Sequence, residues 1–145
     1  MATIDPLDLA LRLNRAQTQV SRRFDTRLSG HHGVSFADFQ ILMSLGQAPG
    51  GRMRRVDLAQ ALGLSASGIT RALGPLERIG LVEREKDPRD ARVAYAALTA
   101  TGRERLADML TTARETAAEV FGGAEWQEAD AASVFGSLLG LLGRG

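Results

Sequence analysis

The sequence predicts a mainly α-helical fold with a small β wing, built around a helix-turn-helix pair and enclosed by longer terminal helices. Three observations carry that reading. Over most of the chain apolar residues recur at intervals of three and four, the helical period. Around Gly63 two such segments meet at a turn too short for anything but a sharp reversal, which makes a helix-turn-helix unit. Between Leu81 and Leu98 the spacing becomes strand-like, with Asp87-Pro88-Arg89-Asp90 at its centre, which makes a hairpin.

Asp5 followed by Pro6 opens the first helix, because an acceptor side chain caps it and proline needs no N–H in the first turn. Leu7, Leu11, Val20, Phe24 and Leu28 carry it to about Ser29, and Gly30-His31-His32-Gly33 is expected to end it in a loop. Ser35 caps a second helix with Phe36, Phe39, Leu42, Met43 and Leu45 on its face, stopped by Ala48-Pro49-Gly50-Gly51. A short third helix, about Val56 to Leu62, buries Leu58, Ala59 and Leu62, and Gly63 supplies the left-handed residue after it.

Ser65 caps the fourth helix, and strands follow over Leu81 to Lys86 and through Val93, Tyr95 and Leu98. Thr99 caps a long fifth helix bearing Leu106, Leu110, Ala113, Ala117 and Val120, which ends at Gly122-Gly123. The last helix, about Glu125 to Leu142, carries Ala132, Phe135, Leu138, Leu139 and Leu142, with Trp126 as a packing residue at its start. No linker divides the chain, so residues 1–145 read as one domain with its winged core at about 35–98.

The fourth helix, SASGITRALGPLERIG, holds Gly74 and Pro75 in its middle. Pro75 cannot donate to the carbonyl of Arg71, at a cost of about 3 kcal/mol in an isolated helix. Yet Ile69, Leu73, Leu76 and Gly80 stay in phase across it, which predicts one bent helix. Ser67, Thr70, Arg71, Gly74 and Arg78 gather on the opposite side. Arginine can bond two acceptors of guanine at once, threonine suits thymine or a phosphate, and Ser65 and Ser67 lie beside free helix N–H groups that favour phosphate. The hairpin tip DPRDAR adds Arg89 and Arg92, which a wing can insert into a minor groove, and Asp90, which can orient one of them by a charge-assisted hydrogen bond. A solvated polar face and a polar turn would account for each segment alone. A basic hairpin directly behind a basic helix face points to duplex DNA.

Composition bounds the alternatives. The chain has 145 residues, 44% hydrophobic and 24% charged, typical of a globular protein. Without cysteine there is no disulfide, thiolate nucleophile or cysteine redox sensor. No apolar run approaches the roughly 20 residues that span a bilayer, and MATIDPLD lacks the pattern of a secretory leader, so a cytoplasmic location without membrane contact is expected. The overall charge of +1 hides an asymmetry: residues 52–92 hold nine basic against six acidic side chains, and residues 93–145 four against seven. No metal motif, phosphate loop or catalytic Ser-His-Asp set is present, which argues against an enzyme and against a cofactor. His31 and His32 are the only histidines and, being adjacent, do not complete a metal site.

LAQALGLSASGITRALGPLERIGLVER followed by DPRDARVAYAALTATGR resembles the MarR family of bacterial winged-helix transcription regulators. The resemblance implies that the helix from Ser65 to Ile79 enters a major groove and that Arg92, beside Asp90, enters a minor groove, with Arg89 the less secure match. It further implies a homodimer interlocked through helices at about 5–29 and 100–143, and an inverted-repeat operator. A small aromatic acid or phenol would bind between the dimer region and the DNA-binding lobe and release the repressor. The competing function is a winged-helix protein-interaction module, which would need no outward arginines on both helix and wing.

Overall fold

The computed structural model describes residues 2–123 and 125–142, with side chains to Ser137. Its elements run α1 (Pro6–His32), α2 (Phe36–Gln47), a 3-10 turn (Pro49–Gly51), β1 (Arg52–Arg54), α3 (Arg55–Ala61), α4 (Ala66–Arg78), β2 (Val82–Lys86), β3 (Ala94–Leu98), α5 (Ala100–Phe121) and α6 (Glu128–Leu142). The sheet is antiparallel in the order β1-β3-β2. Helices therefore dominate, and the hairpin forms the predicted wing.

The caps decide where the helices begin. Asp5 accepts from the Leu7 N–H, Ser35 from Asp38 in a reciprocal capping box, Ser65 from Gly68 and Thr99 from Gly102. Each was expected at those four positions. Among the described residues the core is one cluster in which Leu28 of α1, Ile41, Leu42 and Leu45 of α2, Leu58 of α3, Leu73 and Leu76 of α4 and Met109 of α5 are buried. Burying each leucine contributes about 1.5–3 kcal/mol. Phe24 stacks on Phe36 at 4.3 Å between ring centroids, and the Phe36 N–H donates to Asp25 at 2.7 Å, so α1 is fixed to the start of α2.

Several boundaries differ from expectation, and one strand is added. α1 continues through Gly30, His31 and His32 and stops only at Gly33, whose φ of 69° forms a left-handed cap with its N–H on the Ser29 carbonyl. One glycine within a helix is tolerated, and two histidines favour its negative C-terminal end. The histidines are thus helical, with His32 Nε2 at 2.7 Å from Thr112 Oγ1 of α5. β1 had no expectation, because three residues cannot display alternation and this strand exists through its pairing with β3. α3 begins one residue early, at Arg55.

At the C-terminal end, α6 begins at Glu128, and Trp126 precedes it with 63% of its surface exposed. The Trp126 indole N–H donates to the Phe121 carbonyl at 2.8 Å, and its ring meets the edge of Phe121. The side chains of Leu138, Leu139 and Leu142, and residue 143, lie outside the described residues.

Candidate nucleic-acid interface

α4 is one helix through Pro75, as its apolar phase predicts. Ile69, Leu73 and Leu76 are buried, whereas Ser67, Thr70, Arg71 and Arg78 are exposed. The packing of three apolar side chains offsets the hydrogen bond that proline removes. α3 is held against it by Arg55, whose side chain is only 11% exposed and whose Nη1 lies 3.0 Å from Glu77 Oε1. The pair ties together the two helices of the helix-turn-helix unit.

The outward face is narrower in chemistry than the sequence alone implies. The Thr70 hydroxyl donates to the Ala66 carbonyl at 3.0 Å, so its proton is occupied; it offers a methyl group and an acceptor, which suits a base edge better than a phosphate. Ser65 Oγ accepts from the Gly68 N–H at 3.0 Å and sits 3.2 Å from Ser67 Oγ, so one N–H that seemed free for phosphate is already satisfied. Ser65→Ala is therefore expected to cost about 1 kcal/mol of fold stability through loss of the cap, measurable by chemical denaturation in the absence of DNA.

Arg71, Arg78 and Arg89 make no ion pair within 4 Å among the described residues. A Cβ on Gly74 would meet nothing within 4 Å. Internal packing therefore does not require glycine there, although glycine costs about 1 kcal/mol relative to alanine within a helix. Its effect is to leave the outward surface of the helix low.

In the wing, Asp87 and Val93 close the tip, with the Asp87 N–H on the Val93 carbonyl at 3.2 Å and the Val93 N–H on Asp90 at 3.0 Å. The expected Asp90–Arg92 contact is present: Arg92 Nε lies 3.1 Å from Oδ1 and Nη2 lies 3.3 Å from Oδ2, while the backbone N–H of Arg92 donates to Oδ1 at 3.0 Å. Those bonds, the guanidinium's first, hold the Asp90 carboxyl below its ordinary pKa. The Arg92 side chain remains 91% exposed.

Asp87, a turn residue, and Tyr95, a strand residue in the sequence pattern, bond to each other in the structure. Asp87 Oδ1 accepts from the N–H groups of Arg89 at 2.7 Å and Asp90 at 3.3 Å, and Oδ2 accepts from the Tyr95 hydroxyl at 3.1 Å. The Arg89 backbone bond foremost, and the tyrosine after it, lower the Asp87 pKa. The eight-residue separation carries no local signal of the Tyr95 contact.

One feature lies away from this face. A cavity of about 630 Å³ opens between α1, α2 and α6, lined by Leu13, Val20, Phe36, Phe121, Trp126 and Phe135. Among the described residues there is no group of three metal-ligating side chains, and no helix is long and apolar enough to cross a membrane.

Comparison with known proteins gives the same architecture. The model of the MarR family matches residues 32–93, from the end of α1 to the tip of the wing. The HTH-type transcriptional regulator YkoM of Bacillus subtilis (strain 168), itself uncharacterized, is 32% identical over 104 residues, which is 72% of this chain and 66% of YkoM. Sco3205 of Streptomyces coelicolor, a MarR family transcriptional regulator solved in complex with DNA, superimposes with a TM-score of 0.83 at 22% identity, covering 100% of this chain and 90% of that one. CouR of Rhodococcus jostii RHA1, solved with p-coumaroyl-CoA, gives 0.78 at 24% identity, covering 92% and 91%. With its helix-turn-helix pair, three-stranded wing sheet and long flanking helices, the chain belongs to the MarR family of transcriptional regulators.

Proposed function

We propose that the chain is a sequence-specific DNA-binding repressor that works in the cytoplasm as a homodimer and leaves an inverted-repeat operator when a small aromatic or phenolic ligand binds. The outward face of α4 carries this reading: Ser67, Thr70, Arg71 and Arg78 stand exposed around Gly74 on a helix whose other face is buried. Arg71 and Arg78 supply bidentate donors, and Thr70 supplies a methyl group and an acceptor. Ser65 and Ser67 line the N-terminal turn, and Arg89 and the Asp90-held Arg92 extend the contact to the neighbouring minor groove. Sco3205, which shares the fold, is complexed with DNA.

The homodimer accounts for the apolar surface that one chain leaves uncovered. Leu7, Leu9, Leu11 and Leu13 of α1, with Phe121, Trp126, Val134 and Phe135, are all more than 40% exposed. A patch of that kind marks an interface. The cavity beside Trp126 gives the ligand a place, since Phe36 and Gln40 of α2 line it together with α1 and α6. A ligand seated there would touch both the helices that face a partner and the lobe that carries α4, and so bias the spacing of two recognition helices. CouR binds an aromatic acyl thioester on the same fold.

Capture of genomic fragments by the protein, followed by footprinting at a concentration where its solution mass is known, tests the reading. The expected result is a dimer protecting an inverted repeat with half-sites about one DNA turn, 10–10.5 bp, apart. A monomer that protects no repeated site would overturn it.

A further inference from the structure

We propose that the Tyr95 hydroxyl and the Asp87 carboxylate act as positioning groups for the wing arginine, fixing the pose of Arg92 and with it the preference for sequences that flank the operator. The inference rests on the reading that the wing contacts DNA. Tyr95 lies on β3, the middle strand, opposite Arg54 of β1 and Glu85 of β2, so its backbone is held from both sides. Its ring is held as well: the Arg52 guanidinium sits 4.4 Å from the ring centroid, and Arg52 Nη1 is itself 3.2 Å from Glu85 Oε2. The hydroxyl is thus a fixed point beside the tip of the hairpin, one pair in from Lys86 and Ala94.

From that point the bonds run outward in series. Tyr95 donates to one oxygen of Asp87, whose other oxygen collects the N–H groups of Arg89 and Asp90 and so sets the tip turn. Asp90, placed by that turn, accepts three bonds from Arg92, one from its backbone and two from its guanidinium. An arginine on a hairpin tip would otherwise distribute itself among many rotamers. Here its direction is fixed before DNA arrives, which lowers the ordering cost of binding. Tyr95 need not touch DNA, and the effect of its hydroxyl travels through Arg92.

A four-membered set of proteins tests this: wild type, Tyr95→Phe, Arg92→Ala and the double variant, each titrated with one operator core flanked by A·T-rich or by G·C-rich sequence. Tyr95→Phe keeps the ring and its Arg52 contact and removes the hydroxyl with its hydrogen bond to Asp87. It is expected to weaken binding about three- to tenfold on A·T-rich flanks, with a smaller loss on G·C-rich flanks and an unchanged salt dependence. In the Arg92→Ala background the same substitution should have no further effect. An equal loss on both flanks, or the same loss with Arg92 already removed, overturns the proposal and leaves the hydroxyl a purely structural group. If Arg92→Ala weakens binding and Tyr95→Phe does not, the relay fails while the wing contact stands. If Arg92→Ala itself changes nothing on A·T-rich flanks, the wing contact fails and takes the relay with it.

Discussion

Gly102→Ala is expected to lower fold stability by about 3 kcal/mol, at the upper end of the cost of inserting a methyl group into a packed core. Gly102 sits in the first turn of α5, where its N–H donates to Thr99 Oγ1 at 2.9 Å. Thr99 faces back to the end of α4: its hydroxyl donates to the Gly80 carbonyl at 2.6 Å and its N–H to the Leu81 carbonyl at 3.1 Å. A Cβ on Gly102 would overlap that Leu81 oxygen and come within 2.9 Å of Leu98 Cδ1. The oxygen belongs to backbone and is already bonded to Thr99, so it cannot turn aside. Either α5 lifts away or the entry to β2 shifts, and both break contacts in the core. A urea midpoint that moves by less than the equivalent of about 0.5 kcal/mol would show that this approach has room to relax.

Arg71→Ala is expected to remove about 1–3 kcal/mol of discrimination at one base pair in each half-site, roughly a five- to 150-fold relaxation. The side chain is exposed, free of ion pairs among the described residues, and one turn from the Gly74 opening. Core stability should hardly change, because Arg71 lies opposite Ile69, Leu73 and Leu76. The check is a set of operators with every base substituted in turn, titrated with wild type and variant. A uniform loss on operator and random DNA would assign Arg71 to a phosphate.

Much of this interface was legible in the residues, for reasons specific to them. Asp5, Ser35, Ser65 and Thr99 are caps whose bonds reach two or three positions along the chain, so their geometry is local and their sequence signal strong. The apolar stripe of α4 kept its phase through Pro75 because packing, which follows period, outweighs a single lost hydrogen bond. Asp90 and Arg92 are two residues apart, and their contact follows from that spacing.

What escaped was the part decided at a distance. β1 is three residues long and owes its conformation to β3. The continuation of α1 to His32 depends on which glycine takes the left-handed cap, and Gly30 and Gly33 look alike in sequence. The Tyr95–Asp87 bond needs the register of β2 against β3, which places Tyr95 opposite Glu85 and within reach of the tip. Alternation put Tyr95 on a strand without naming its partner. The role of Thr70 changed for a related reason, since only the structure shows its proton spent on Ala66.

Whether α4 and the wing form a DNA-reading surface is tested by the affinity of the purified protein for a captured operator across a salt series. Phosphate neutralisation by the arginines of α4 and the wing should give a steep linear fall of log K with log salt, with tighter binding to the inverted repeat than to random duplex at every salt concentration. Affinity for every fragment that is independent of salt, with no preference for a repeat, would contradict it.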